Sequence, residues 1–204
     1  MPQLSNTERE KATKASWTEY IKQENAMLEF LEYVPLAECH FQVYSPKLVS
    51  ILYEVGPELM NIFNVAIGNT KPLAKMDKFM GDGQLSVELD KIWSDEVELQ
   101  ERTQSLSFRR YYDFLEKWSV RKLSTAQVEI IENSLMLTPF KDQTPEWWTT
   151  YNGLKHSKQT SLTKATLFTT LMGLSGLFWP IKRSADDLHI DDGLDSKIFK
   201  AKNY

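Results

Sequence analysis

The 204 residues are 42% hydrophobic and 25% charged, which argues against wholesale disorder and allows one core of ordinary size. A net charge of −4 excludes a global field that would draw the chain to nucleic acid, though it leaves a local basic patch open. The single cysteine, Cys39, excludes an internal disulfide, which fits a reducing compartment. The polar opening MPQLSNTEREKATK lacks the apolar stretch of a secretory signal, so a cytoplasmic protein is expected.

The first predicted element is a helix. Ser5 or Asn6 can cap it, and Glu8 and Glu10 suit its positive end. Trp17, Tyr20, Ile21, Met27, Leu28, Leu31 and Val34 recur at helical spacing, and Pro35 should stop the run. Leu36–Tyr44 reads as a connector, with His40 a boundary residue near a turn.

Ser45-Pro46 is a second start, a hydroxyl cap followed by proline at the first helical position. Leu48, Ile51, Leu52, Val55, Leu59, Ile62, Phe63 and Ala66 carry an apolar stripe to about Gly68. Gly56-Pro57 interrupts it, so either the helix kinks or two helices meet there. Residues 69–85 read as a loop, followed by helical character over Val87–Gln100 and Gln104–Trp118.

The stretch Val128–Phe140 fits a small β-hairpin or a helix equally well. Thr144-Pro145-Glu146 opens another helix, and a last one is expected from about Ser161 to Trp179, stopped by Pro180. Its Gly173, Ser175 and Gly176 would let a neighbour approach closely. The apolar run Leu167–Ile181 is too short to cross a bilayer and reads as a buried helix, so no membrane partner is expected. The expected organisation is one helical domain over residues 1–181 and an acidic, loosely ordered tail over 182–204. The five aspartates of that tail lack the ligand spacing of an EF-hand.

Chemistry-bearing patterns are few. The chain has no phosphate loop, nucleophile elbow or zinc-type Cys/His cluster, so neither a cofactor nor a metal is expected. Glu54 and Glu58, four apart, could share a helix face if that helix survives Gly56-Pro57. Arg109-Arg110 beside Tyr111-Tyr112 joins cations to aromatics, a chemistry suited to nucleic acid, although aromatics at helical spacing more often form core.

The most informative stretch is Thr144–His156, TPEWWTTYNGLKH. Trp148, Asn152 and Lys155 fall near one helix face, and Asn152 and His156 are four apart. A histidine near neutrality can give and take a proton, a lysine can hold a phosphate oxygen, and an asparagine can orient ring or substrate. Together they could cleave RNA without metal, the ribose 2′-hydroxyl attacking the adjacent phosphorus. The structural alternative is that Asn152-Gly153 ends the helix and His156 bonds a carbonyl there.

Pro145, Trp147-Trp148, Tyr151-Asn152 and Lys155-His156 resemble a HEPN-like family of uncharacterised microbial proteins, as does the apolar helix Ala165–Phe178 that follows. A weaker likeness covers Tyr44–Ile67, so the resemblance spans the C-terminal third and one helix upstream. It implies a mainly all-α, HEPN-like bundle of five to seven helices that dimerises. It also implies a metal-independent ribonuclease or RNA-binding role in microbial antiviral defence or toxin–antitoxin systems. His156 would then be catalytic with Lys155 and Asn152, while Tyr151, Arg109 and Arg110 would touch substrate. The family's arginine, separated from the histidine by four to six residues, has no counterpart here, because Thr149, Thr150 and Tyr151 occupy those positions. Lys155 supplies a point charge rather than a bidentate fork. A non-catalytic interaction or scaffold module within a larger complex is the alternative expectation.

Overall fold

The computed structural model describes residues 5–68, 123–142, 144–156, 161–190 and 193–202. Among them are four helices, α1 (Asn6–Leu31), α2 (Pro46–Gly68), α3 (Glu146–His156) and α4 (Leu167–Asp187), and three short strands, β1 (Gln127–Ile130), β2 (Met136–Leu137) and β3 (Phe199–Lys202). The expected mainly helical class holds, with the hairpin alternative realised at residues 127–137. The loop at 69–85 and the two helices expected between 87 and 118 lie outside the described residues.

Helix α1 begins with a reciprocal cap. The Glu8 amide donates to Ser5 Oγ at 3.3 Å, while the Glu8 carboxylate accepts from the Ser5 amide at 2.7 Å and thereby titrates lower than usual. The helix ends at Leu31, a turn ahead of Pro35. The Pro35 carbonyl accepts from the His40 ring at 2.7 Å, which accounts for His40 as the expected turn residue.

Of the three prolines expected to kink, divide or stop a helix, Pro57 and Pro180 lie inside one. Helix α2 passes through Pro57 unbroken, and Pro57 is exposed, so water can serve the carbonyl one turn back that loses its amide partner. Helix α4 passes through Pro180 and reaches Asp187, two turns beyond the expected stop. Every residue from Gly173 to Ile181 is buried, and that packing outweighs the local cost of one missing bond.

Helices α1, α2 and α4 pack against one another, and α3 lies across α2 and α4. Trp147 and Trp148 of α3 and Leu167, Leu171 and Phe178 of α4 are all buried. Gly173 and Gly176 of α4 form the notch that admits α3. A Cβ on Gly173 would stand 2.7 Å from Leu52 Cδ1 and 3.3 Å from the Trp147 ring, and one on Gly176 would stand 3.1 Å from that ring. The Trp147 indole N–H donates to the Pro139 carbonyl at 2.8 Å, so no polar atom is lost by burying it.

The sheet has the order β2-β1-β3, antiparallel throughout, with Val128 opposite both Leu137 and Ala201 and Ile130 opposite Phe199. Its third strand comes from the stretch expected to be a loose acidic tail, and that expectation is corrected. Leu194, Ile198 and Phe199 are buried, and Phe199 packs on Phe178 with ring centroids 5.9 Å apart. Apolar residues alternating with lysines in IFKAK outweigh the aspartates upstream. Asp191 and Asp192 lie outside the described residues.

Candidate functional site

Helix α3 turns its apolar side inward. Trp147, Trp148, Thr150, Tyr151 and Leu154 are buried, so Lys155 and His156 of the last turn are left exposed and Asn152 half-buried between the two sides. The helix runs through Asn152-Gly153 to His156, which rules out an early stop at that dipeptide. Gly153 is there for space, because a Cβ would collide with the Ser161 side chain. Lys155, a cation in the last turn, complements the partial negative charge of the helix dipole.

Tyr151 faces inward. Its ring lies on the backbone of α2 at Gly56, where any side chain would overlap it, and it meets Tyr53 edge-on with centroids 6.2 Å apart. Burial pushes its hydroxyl pKa up, and Tyr53 and then Glu54 push it further. Tyr151 therefore anchors α3 to α2 as a neutral phenol. Arg109 and Arg110 lie outside the described residues.

An open groove of about 450 Å³ runs between the outer face of α2 and the end of α3. Val49, Tyr53 and Glu54 of α2 line it, with Tyr44 from just before that helix, and Leu154 and Lys155 line it from α3. Tyr44 is 55% exposed and Tyr53 44%, large aromatic surfaces for a folded domain. His156 is exposed beyond this lining. Of the expected site residues, then, Lys155 reaches the groove, Tyr151 braces its floor from inside the core, and His156 stands apart.

The potential in the groove is mixed. Glu54 and Glu58 do share a face, since α2 is continuous. Glu58 titrates above the usual carboxylate range through burial first, then through the negative charge of Glu19 and, more weakly, of Glu54. Lys155 forms no ion pair among the described residues.

Residue spacing carried a signal for the groove. Pro46, Val49, Ser50, Tyr53 and Glu54 make a second stripe on α2, offset from the core stripe of Leu48, Ile51, Leu52, Val55 and Leu59. Tyr53, exposed on that stripe, with Tyr44 just ahead of the helix, was the available clue.

Among the described residues no group of three or more His, Cys, Asp or Glu side chains could hold a metal ion, and no helix is long and apolar enough to cross a membrane. The architecture is a mainly helical one with a small three-stranded sheet. The chain matches no family model, no curated protein and no solved structure.

Proposed function

We propose that this chain is a HEPN-like helical module that binds a protein partner in the α2–α3 groove and performs no catalysis of its own. The HEPN-like part of the reading rests on the Pro145–His156 segment and its lack of the family's arginine. The observation that carries the binding role is the groove itself. Two half-exposed tyrosines stand over an apolar floor, with a carboxylate from α2 and an ammonium from α3. Such a surface gives a protein segment area, anchoring and orientation.

Most side chains that make the Pro145–His156 segment distinctive work inside the protein. Trp147 fills the notch on α4, Tyr151 seats on Gly56, and Gly153 makes room for Ser161. Their presence is accounted for by packing. The test compares variants in the native cell. A partner retained by the unaltered protein and by His156→Ala, but lost from the double variant Tyr44→Ala/Tyr53→Ala, is the expected result. Equal retention by all three would refute the assignment to the groove.

One observation favours a second reading, metal-independent RNA cleavage in a defence or toxin–antitoxin setting. His156 and Lys155 stand exposed together on one helical turn, within reach of a phosphodiester. Here His156 would be the acid and base, Lys155 the phosphate contact and Asn152 the orienting group, with a second copy of the chain completing the site. Cleavage of RNA by the purified protein, abolished in His156→Ala, would install this reading in place of the first.

A further inference from the structure

We infer that the groove selects a basic peptide segment, with an arginine or lysine side chain lying between Tyr44 and Tyr53 and its charge against Glu54. This rests on the groove being a protein-binding surface, and it goes further by naming the chemistry of the occupant.

Charge is the first argument. Glu54 lies in the groove wall, Glu58 follows it one turn along the same face of α2, and Glu19 of α1 stands close enough to raise Glu58. Among the described residues, Lys22 is the cation that acts on Glu58 and Lys155 the one that lines the groove with Glu54. Lys22 is already committed to Glu19 at 2.5 Å. Lys155 comes from α3 and makes no ion pair among the described residues. The Glu54 end therefore carries surplus negative charge, which also reaches the Tyr151 hydroxyl beneath. A cation placed there removes carboxylate repulsion as well as gaining attraction.

Shape and polarity point the same way. Tyrosine faces attract cations, arginine above all. Val49 and Leu154 offer an apolar surface to the methylene stem of a long basic side chain, whose head stays at the polar end. A space of about 450 Å³ exceeds one side chain, so neighbouring residues of the peptide enter as well. Lys155 can then donate to a main-chain carbonyl of the occupant. An RNA strand would instead bring phosphates against Glu54.

The test uses the full chain, labelled for heteronuclear NMR. The probes are the blocked peptide acetyl-Gly-Leu-Arg-Leu-Gly-amide, the same peptide with glutamate or uncharged citrulline in place of arginine, and oligouridine. The arginine peptide is expected to shift the amides of Tyr53, Glu54, Leu154 and Lys155. Citrulline should weaken binding by a factor of roughly 3 to 10, about what a partly exposed cation–π and charge contact contributes. Glu54→Gln, an exposed and nearly isosteric change, should weaken the arginine peptide alone. If arginine, citrulline and glutamate peptides bind the groove equally, the cation selectivity is wrong while the docking surface stands. If no peptide moves these amides, and partner retention in cells is also indifferent to Tyr44→Ala/Tyr53→Ala, the protein-binding reading falls with it. Shifts produced by oligouridine in preference to the peptides overturn both in favour of RNA.

Discussion

The residue with the most at stake outside the groove is Glu24. It is 1% exposed, and its Oε1 accepts from the Tyr20 hydroxyl at 2.8 Å, from Ser196 Oγ, and from the amides of Lys197 and Ile198 at 3.0 and 3.2 Å. Ser196 Oγ in turn accepts from the amides of Ile198 and Phe199. One carboxylate thus organises the start of β3 from the middle of α1. Removing the acceptor leaves the Lys197 amide and the Ser196 hydroxyl without it, while the Tyr20 hydroxyl and the Ile198 amide keep only their second contact, with Ser196 Oγ. Glu24→Ala should therefore cost at least about 1–3 kcal/mol in denaturant unfolding, with Glu24→Gln milder because an amide oxygen remains. No loss in either variant would show that the donors find other partners. The sequence near Glu24 did not point to this role, because its partners at the start of β3 lie 172–174 residues away and a glutamate on a helix is ordinarily solvated. Glu58 supports a prediction of opposite sign. Its folded-state pKa is raised, by burial and then by Glu19 and Glu54, so the folded chain holds that proton more tightly than the unfolded chain. Stability is therefore lost as pH rises from the ordinary carboxylate range through the raised value, and the penalty is complete above it. Glu58→Gln should raise the melting temperature at neutral pH and leave it unchanged near pH 3, where both forms are neutral.

At the scale of elements, apolar periodicity and start signals were reliable guides and stop signals were not. Ser45-Pro46 and Thr144-Pro145 do open helices, and the stripe from Leu48 to Phe63 is buried as its spacing implies. Pro180 did not stop its helix, and no second helix begins at Pro57, for a common reason. A proline removes one bond locally, whereas burial of a whole helical face is set by distant segments that local inspection does not see. The small residues of α4 were legible as a close-approach surface, though not what approaches it. That is Trp147 from α3 and Leu52 from α2, fitted against Gly173. Gly173→Val should force Leu52 or the indole out of place, costing about 1–3 kcal/mol by overpacking, measured as a lower denaturation midpoint. An unchanged midpoint would mean that the α3–α4 contact is looser than the 2.7 Å and 3.3 Å approaches imply. The same contact bears on the candidate site, because Trp147, Tyr151 and Leu154 share α3 with Lys155. Loosening the notch should also weaken any ligand of the groove.

At the scale of the whole molecule, the chain closes on itself, and the C-terminal stretch is where composition misled most. Aspartates dominate the eye in ADDLHIDDGLDSK, but the structure depends on Leu194, Ser196, Ile198 and Phe199. Those residues join three separate parts of the fold. Phe199 packs on Phe178 of α4, the strand pairs along β1 from Gln127 to Ile130, and the turn before it is tied to Glu24 of α1. Sequence patterns are poor at showing such a closure, since the alternation of a four-residue strand is too short to stand out and its partner strand lies some 70 residues earlier. Deleting residues 193–204 should therefore act as a core deletion. Leu194, Ile198 and Phe199 each represent roughly 1.5–3 kcal/mol of burial on an area basis, an upper estimate because the unfolded chain also buries part of its surface. The deletion would moreover leave Val128 and Ile130 on an open strand edge and Glu24 without its amides. Against a usual total of about 5–15 kcal/mol, the truncated chain should unfold at much lower denaturant, or fail to fold, and should aggregate through the exposed edge. A truncated chain with an unchanged unfolding midpoint would mean that β3 is a loosely docked appendage after all, and that α1, α2, α3, α4 and the β1–β2 hairpin fold without it.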